Sequence, residues 1–317
     1  MQAVIEAGGA GVVETMGLVE ERIMAAARGH GPVLERYAAA TLAAGGKRLR
    51  PLLVCLAAGV PVEASEQLLR AASAVELVHA ATLVHDDVID GSDLRRGQPT
   101  VVARGGRLVA LAVGDFLLSR AFAELAAGGA EAPVLVLARA ATGLAAGELM
   151  QRADAWDARV TTERYLQRCR LKTGVLFRAA CELGALAGGG DPELLGRFGE
   201  RIGVAFQLLD DVLDVTGPPE RTGKPRCADL LDGTVTLPLI EARRFDSSLS
   251  ELELHSVQSA AEADQVADRI IASGALELAR TRALTVVGEA KAGIASLPAA
   301  QRGALELVAD GVVDRYS

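Results

Sequence analysis

Residues 75–90 carry the sequence VELVHAATLVHDDVID, which decides the fold of this 317-residue chain. Across the wider segment 64–91, apolar residues recur at spacings of three and four, which is the period of an α-helix. The stretch ends in the acidic pattern D-D-x-x-D, formed by Asp86, Asp87 and Asp90. Positions i and i+4 share one helix face, so Asp86 and Asp90 are predicted to point the same way.

The same acidic pattern occurs a second time, in FQLLDDVLD, as Asp210, Asp211 and Asp214. Carboxylates this close repel one another unless a cation lies between them. One such motif would fit an exposed acidic helix face, but two copies set among leucines and valines favour metal sites. No cysteine lies beside either motif, and a set of oxygen ligands suits Mg²⁺, which also binds substrate phosphates. His85 points about 100° away from the next aspartate around the helix and is predicted to be structural.

The rest of the chain has the composition of a helical protein. Half of its residues are hydrophobic but only 3% are aromatic, so Ala, Leu and Val supply most of the apolar mass. This composition favours close-packed helices, and no long alternation of period two indicates a sheet. We predict an all-α fold and one domain over residues 1–317. The predicted helices are 12–28, 33–44, 50–59, 64–91, 107–127, 132–151, 162–187, 191–215, 235–244, 261–273, 276–295 and 299–313, with a Gly/Arg-rich loop at 91–106.

Charge and cysteine usage exclude several classes of function. The net charge of -8 argues against nucleic acid as a partner. No uninterrupted apolar run of 18 residues appears, so no membrane span is predicted. The N-terminal residues lack the basic start and apolar core of a signal peptide. The four cysteines have no CxxC spacing, which favours reduced structural thiols and a cytoplasmic location.

Basic residues cluster near the acidic motifs, although the chain has only four lysines. Clustered cations beside metal-binding carboxylates imply a substrate that carries phosphate or diphosphate groups. The segment GGKRLRP lacks the spacing of a P-loop. The clustered residues are Lys47, Arg48 and Arg50 in GGKRLRP, Arg95 and Arg96 in SDLRRGQPT, Lys172 in LKTGVLF and Lys224 in RTGKP.

Taken in order, these motifs resemble those of the trans-isoprenyl diphosphate synthases, the polyprenyl synthetases. The similar stretches run from GGKRLRP at 45–51 through GDFLLSRAF at 114–122 and GKPRCADLLDGTVTLP at 223–238 to SGALELAR at 273–280. The resemblance implies an orthogonal helical bundle around a deep central cavity, usually homodimeric. It also implies Mg²⁺-dependent condensation of isopentenyl diphosphate with an allylic prenyl diphosphate, with three Mg²⁺ ions when substrate is bound.

The resemblance also implies a role for each matched residue. The isopentenyl diphosphate site is implied to be Lys47, Arg50, His79 and Arg96. Arg95 is implied to bind the allylic diphosphate. The residues implied to hold that diphosphate and face the developing cation are Lys172, Thr173, Gln207 and Lys224. The implied metal residues are Asp86, Asp90, Asp210 and Asp214, supported by Asp87 and Asp211. Two positions depart from the family pattern, Cys227 in place of a common glycine and Thr234 in place of a common lysine.

Product length is implied by the residues that precede the first motif. In the family, bulky residues four and five positions before Asp86 form the floor of the product tunnel. Here these positions are Thr82 and Ala81, and Val78 lies further along. Five residues span about 7.5 Å of helix, so a small Ala81 predicts a product longer than C20. Phe116, Phe122 or Met150 of neighbouring helices could close the tunnel earlier, so a C15–C20 product stays open.

Other functions remain as alternatives with distinguishing features. A short-chain synthase, or the catalytic subunit of a heteromeric synthase, would carry the same motifs. A terpene cyclase would replace the second motif with Asn and Ser/Thr ligands. A non-catalytic partner subunit would lose the Asp motifs, and a helical interaction protein would have no reason to concentrate them.

Overall fold

The computed structural model describes residues 2–217 and 226–314, and most of them are helical. The prediction of an all-α chain is confirmed. The one addition within this part of the chain is a two-stranded ladder of β1 Leu94–Arg95 and β2 Gln98–Pro99. The helical elements are α1 Gln2–Gly8, α2 Ala10–Ala26, α3 Pro32–Ala43, α4 Leu49–Ala58, α5 Glu66–Ile89, α6 Val101–Ala126, α7 Glu131–Ala153, α8 Thr162–Cys169, a π-helical turn Arg170–Gly174, α9 Val175–Gly188, α10 Pro192–Thr216, α11 Ala228–Leu231, α12 Leu237–Ala242, α13 Ser247–Ser250, a 3₁₀ turn Leu254–Ser256, α14 Ala260–Ala272, α15 Ala275–Gly293 and α16 Ala299–Asp314.

Several of these helices begin at a side chain that caps them. Ser65, Thr100 and Thr161 each accept a hydrogen bond from the backbone N–H three residues on, at the starts of α5, α6 and α8. Ser259 and Glu262 form a capping box at the start of α14. The first N–H groups of a helix have no partner within it, so these caps favour each start point.

The first compact unit comprises Met1–Ala141, Leu176–Gly199 and Ile294–Val308. Its central helix is α5, which is buried along most of its length rather than on one face. Helices α2, α4 and α6 pack against α5. Helix α9 approaches α4 closely because a Cβ on Gly184 would overlap the carbonyl oxygen of Val54. Helix α5, which ends in the first acidic motif, is therefore packed inside this unit.

The second compact unit comprises Thr142–Val175, Glu200–Gly293 and Ala309–Ser317. Helix α12 packs against α8, α14 and α15. Tyr165 of α8 and Ile270 of α14 are fully buried in this unit. The second unit holds the second acidic motif, in the C-terminal half of α10.

The structure differs from the sequence prediction in three places. The predicted loop at 91–106 contains the β1–β2 hairpin and the first turn of α6, which bends at Gly106, a residue with φ +79°. The predicted helix 162–187 is interrupted by the π-helical turn. Short helices α1, α11 and α13 were not predicted, because four to seven residues are too few to show a helical period.

Among the residues described, α7 is long and apolar enough to cross a membrane by length and composition alone. It carries Arg139, which pairs with Glu182, and Glu148, which pairs with Lys172. Charges that are paired within the protein are typical of a helix packed in a protein. The absence of a membrane span stays a prediction.

Candidate active site

The first acidic motif lies at the C-terminal end of α5. The backbone N–H of Asp90 donates to the carbonyl of Asp86 at 2.8 Å, so the helical turn continues through the motif. Asp90 is exposed and Asp86 is half-buried, whereas Asp87 is only 4% exposed. The two outer carboxylates are therefore accessible, and the middle one is turned into the protein.

The buried middle carboxylate holds the hairpin that follows it. Arg95 Nε donates to Asp87 Oδ1 at 2.8 Å. The ladder pairs Arg95 with Gln98, and the two loop residues between them, Arg96 and Gly97, have φ of +53° and +73°. Two positive φ values define a type I′ turn, which fits a tight hairpin. The turn places Arg95 and Arg96 beside the end of α5.

A cleft of about 490 Å³ opens beside this hairpin in the first unit. Three of the predicted substrate-binding residues line it, and so does Arg48, one of the clustered basic residues to which the family resemblance assigned no role. Arg96 Nη1 donates to the carbonyl of Gly45, and its guanidinium packs on Gly46. Neither Lys47 nor Arg50 is among the lining residues. The three predicted residues are His79, Arg95 and Arg96.

Arg50 and Lys47 lie on either side of the Arg48–Leu49 dipeptide. The Arg50 guanidinium lies over the Phe177 ring, 4.7 Å from its centroid. Lys47 is exposed. Arg50 is nonetheless close enough to His79 for its charge to act on the imidazole.

His79 lies in a cationic environment. Burial lowers the pKa of His79 well below its usual range, and the charges of four arginines lower it further. A neutral imidazole surrounded by guanidinium groups is suited to receive an anion. The four arginines are Arg50, Arg96, Arg95 and Arg48.

Arg48, which the sequence groups with the cations that imply a phosphate-bearing substrate, instead has a structural role in the cleft wall. Its Nη1 donates to Glu76 at 2.6 Å, and its Nη2 donates to the carbonyl of Leu42 at 2.8 Å. Its Nε pairs with Glu20. The two carboxylates compensate its charge, so Arg48 braces the wall rather than offering a bare cation. Its partners lie 28 residues away on either side, and no local pattern signals them.

His85, predicted to be structural, packs against α6. Its ring packs on Gly114, where a Cβ would overlap the imidazole. Its Nε2 lies 3.3 Å from a carboxylate oxygen of Asp115. These contacts explain why glycine and aspartate begin the GDFLLSRAF motif.

The second acidic motif, in the second unit, repeats the division between outer and middle carboxylates. Asp210 and Asp214 are half-buried, and Asp211 is 2% exposed. The backbone N–H of Asp229 donates to Asp214 Oδ2 at 3.4 Å. Burial raises the pKa of Asp211 to about 7, with a smaller contribution from the charge of Asp229.

A chain of hydrogen bonds joins Asp211 to two predicted catalytic residues. Tyr165 donates from its hydroxyl to Asp211 Oδ2 at 2.6 Å. Gln207 Nε2 donates to Asp211 Oδ1 at 2.7 Å. Thr173 Oγ1 donates to Gln207 Oε1 at 2.9 Å. The structure thus brings Thr173 and Gln207 together, as predicted, and adds Tyr165 as a residue that the sequence analysis missed.

The π-helical turn sets the position of Lys172 and Thr173. Such turns interrupt the regular period of a helix and are frequent at functional sites. Helix α7 approaches the turn closely, because a Cβ on Gly147 would lie 2.6 Å from the backbone nitrogen of Lys172. The Lys172 ammonium pairs with Glu148 at 2.8 Å. No periodic signal in the sequence indicated the turn.

The remaining predicted residues are placed as follows. Lys224 lies outside the described residues. Cys227 is buried with φ +53°, a left-handed conformation that explains why glycine is common there. Val78 and Ala81 are buried on α5, and Thr82 is half-buried, its hydroxyl donating to the carbonyl of His79 at 2.8 Å.

The accessible carboxylates suit a hard divalent cation. Within the described ranges, no three His, Cys, Asp or Glu side chains are gathered closely enough to hold a metal ion unaided. Each motif offers two accessible carboxylates one helical turn apart. Mg²⁺ keeps several waters and takes one or two carboxylates together with substrate phosphates, so this sparse set fits it.

Comparisons with known proteins agree with this geometry. The family model described as Polyprenyl synthetase matches residues 31–273. Heptaprenyl diphosphate synthase component 2 of Geobacillus stearothermophilus is 41% identical over 232 residues, 72% of each chain. Geranylgeranyl diphosphate synthase of Methanosarcina mazei is 37% identical over 258 residues, 78% of this chain and 79% of the relative. A crystal structure of polyprenyl synthase from Caulobacter crescentus, complexed with calcium and isoprenyl diphosphate, superposes with a TM-score of 0.90 at 35% identity, covering 98% of both chains.

Proposed function

The chain belongs to the polyprenyl synthetase family and is a trans-prenyltransferase of all-α isoprenoid synthase fold, and we propose that it makes a polyprenyl diphosphate longer than C20. The reaction is the Mg²⁺-dependent condensation of isopentenyl diphosphate with an allylic prenyl diphosphate. The observation that carries the proposal is the pair of motifs whose outer carboxylates are accessible, together with the arginine-lined cleft. Carboxylates for a cation and guanidinium groups for phosphate are what a diphosphate substrate requires.

The cleft in the first unit is proposed to bind isopentenyl diphosphate. Arg96 and the neutral imidazole of His79 line it, and Arg50 adds its charge nearby. Lys47, predicted for the same site, is exposed beside it. Arg95, fixed by Asp87, is proposed to bind the allylic diphosphate from the same wall. A bidentate guanidinium suits each phosphate contact.

The second unit is proposed to hold the allylic diphosphate and to face the cation. Lys172 and Lys224 supply positive charge to the leaving diphosphate. When the allylic C–O bond breaks, the oxygens of Thr173 and Gln207 direct their negative ends toward the carbocation. The isopentenyl double bond then attacks the cation, and the departing diphosphate takes the proton. No protein nucleophile is required.

Magnesium is proposed to be held by the outer carboxylates Asp86, Asp90, Asp210 and Asp214, with three ions when substrate is bound. When bound, the metal neutralises the leaving diphosphate as charge develops on it. The Caulobacter crescentus enzyme was crystallised with calcium, another hard divalent cation, and isoprenyl diphosphate. That structure supports a divalent cation beside the diphosphate.

A product longer than C20 is proposed from the small residues at Ala81 and Thr82. The relatives carry names of different product lengths, heptaprenyl and geranylgeranyl. Ala81 and Val78 are both fully buried on α5. A larger side chain at Ala81 would therefore have to displace the atoms packed against it. Short-chain synthesis is the competing outcome.

Assembly is proposed to be homodimeric, in one cytoplasmic domain. Helix α7 is apolar and only 22% of its most apolar window is buried, which favours a protein partner over solvent. The Geobacillus relative is called component 2 of its synthase, and this supports the alternative that the chain is the catalytic subunit of a heteromer. Each compact unit takes three separate stretches of chain, which supports one domain over 1–317. Four buried, free cysteines fit a reducing compartment.

One assay tests the proposed function. The purified chain is incubated with Mg²⁺, isopentenyl diphosphate and either farnesyl or geranylgeranyl diphosphate, and product length is read by chromatography. We expect turnover by this chain alone and products longer than C20. Products that stop at C15–C20 would make it a short-chain synthase, and no turnover without a second protein would make it a subunit of a heteromer. Sedimentation of the same preparation measures the oligomeric state.

A further inference from the structure

Gln207 can hold its amide in two orientations, and the structure selects one of them. Its Nε2 faces Asp211 Oδ1, and its Oε1 faces the hydroxyl of Thr173. Rotating the amide by 180° would point its carbonyl oxygen at a carboxylate oxygen. Tyr165 donates to the other oxygen, Oδ2, and Oδ1 accepts from Gln207 Nε2, so this arrangement fixes which end of the amide faces Asp211.

The fixed amide in turn fixes the hydroxyl of Thr173. Because Gln207 presents its carbonyl oxygen, the Thr173 proton is directed toward Gln207. The lone pairs of Thr173 Oγ1 then point away from Gln207. A reversed amide would donate to Thr173 instead, and the hydroxyl proton would turn to another acceptor. The direction of one hydrogen bond at Asp211 therefore decides whether the lone pairs or the proton of the Thr173 hydroxyl points away from Gln207.

Tyr165 secures the carboxylate itself. It is fully buried, and its hydroxyl occupies the second oxygen of Asp211 at 2.6 Å. The thiol of Cys169 hydrogen-bonds to the same hydroxyl. Both oxygens of Asp211 thus have donors from the protein, which hold the carboxyl plane in one orientation. This differs from Asp210 and Asp214, whose side chains are more accessible.

We propose that Tyr165 and Asp211 are positioning residues, which set the orientation of the Gln207 amide and, through it, the orientation of the Thr173 hydroxyl. The proposal rests on the proposed function, in which oxygens of Thr173 and Gln207 face the carbocation. It assigns Asp211 to this chain of hydrogen bonds rather than to a metal ion. We call this chain of hydrogen bonds, from Tyr165 to Thr173, the relay. It acts on the rate of ionisation and not on substrate affinity, because the orientation of its dipoles matters only when positive charge develops.

The test compares Asp211→Asn with Asp211→Leu. Asparagine still accepts from Gln207 on its carbonyl oxygen, while its amide faces the Tyr165 hydroxyl, which turns its proton toward Cys169. We expect kcat within about tenfold of the wild type for Asp211→Asn. Leucine is close in size but cannot accept, so Asp211→Leu leaves the Gln207 amide unfixed. We expect kcat to fall about 100-fold with each KM changed less than about threefold.

Two further variants make the result independent of the leucine variant's folding. Tyr165→Phe keeps the bond from Gln207 to Asp211 and is expected to lower kcat about fivefold at unchanged KM. Thr173→Val removes the last member of the relay, so adding Tyr165→Phe to it is expected to cost nothing further. Asp157→Asn is the matched control for loss of an aspartate, because Asp157 is paired with Arg159 elsewhere in the second unit. Thermal melts accompany every variant.

The outcomes separate the relay from its alternatives. Wild-type turnover comes first, and its absence would defeat the proposed function without bearing on the relay. If Asp211→Asn loses as much activity as Asp211→Leu, or recovers when Mg²⁺ is raised, Asp211 acts on the metal and the relay is wrong. Additive losses in Thr173→Val with Tyr165→Phe would also overturn it. A Tyr165→Phe enzyme with wild-type kcat would remove Tyr165 from the relay.

Discussion

The middle carboxylates of the two acidic motifs have different hydrogen-bond donors. Asp87 of the first motif accepts from the guanidinium of Arg95. Asp211 of the second motif accepts from the phenol of Tyr165 and the amide of Gln207. The outer carboxylates of both motifs remain accessible. Spacing alone makes the two motifs look interchangeable, but their middle residues are tied to different kinds of partner. Asp87 balances the charge of Arg95, while Asp211 orders neutral groups. The same D-D-x-x-D pattern therefore organises a cationic wall in one unit and a chain of hydrogen bonds to neutral groups in the other.

The largest effect is expected from the outer aspartates, where the two motifs are alike. Asp86→Ala and Asp210→Ala each remove an accessible carboxylate proposed for metal binding. Both variants should fold, and each should lose about a thousandfold or more in kcat/KM. Steady-state kinetics at several Mg²⁺ concentrations measure this. A variant that kept wild-type activity would take its motif out of the metal site.

The next effect is expected where the motifs differ. Asp87→Asn leaves Arg95 without its compensating charge and loosens the hairpin, so the KM for the allylic diphosphate should rise about tenfold. Because the Arg95 side chain is 36% exposed, unfolding should become easier by only about 1 kcal/mol. Asp211→Asn is the matched variant and should leave that KM unchanged. Equal changes in KM for the two variants would mean that the middle aspartates do not differ in role.

Product length should depend on the residues before the first motif and not on those before the second. Ala81 lies five positions before Asp86, and Ala205 lies five positions before Asp210. Both alanines are buried, so a phenylalanine at either position adds the same side-chain volume inside the protein. Ala81→Phe should shorten the product by one or more isoprene units, read by chromatography, while Ala205→Phe should cost stability without shortening it. An unchanged product distribution in Ala81→Phe would refute the tunnel interpretation.

Helical period and residue chemistry predicted the parts of the site that depend on short spacing. They predicted the shared face of Asp86 and Asp90 and the helix around Asp210. The grouping of Thr173 with Gln207, 34 positions apart, came from the family resemblance and not from spacing. The hairpin at 94–99 was missed because Arg-Gly is a weak signal for a type I′ turn, which favours Asn-Gly or Asp-Gly.

Contacts between distant segments could not be predicted. Arg48 donates hydrogen bonds to Glu20 and Glu76, each 28 positions away in sequence. Tyr165 reaches Asp211 across 46 positions. The π-helical turn packs closely against Gly147 of a separate helix, a contact that no local pattern reveals. Each of these depends on tertiary packing rather than on local propensity.

One group in each compact unit should also make stability depend on pH, in opposite directions. His79 has a lowered pKa in the folded protein, so the unfolded chain binds more protons below pH 6.5 and stability falls as pH drops. Asp211 has its pKa raised to about 7, so the folded protein holds the proton longer and stability falls as pH rises from about 4 to 7. Each slope is at most about 1.4 kcal/mol per pH unit. Denaturant titrations in metal-free buffer should show His79→Gln removing the first slope and Asp211→Asn the second.

The smallest effect is expected beside the second motif, at Cys227. The backbone N–H of Cys227 donates to the carbonyl of Asp214 at 2.8 Å, and this bond is made with Cys227 in a left-handed conformation. A Cβ in that conformation costs about 1 kcal/mol, and glycine avoids the cost. Replacing alanine by glycine in a helix normally costs about the same amount in the other direction.

In a helix, an alanine variant is normally more stable than a glycine variant. At position 227 we expect this order of stability to be lost or reversed. Both variants lose the buried sulfur, so the comparison between them isolates the backbone. Cys227→Gly should be at least as stable as Cys227→Ala, whereas at Cys181, buried within α9, the glycine variant should be less stable than the alanine variant by about 1 kcal/mol. Chemical denaturation of the four variants measures both differences. If alanine were the better residue at both positions, the left-handed backbone would carry no strain, and the family's preference for glycine beside the second motif would need another cause.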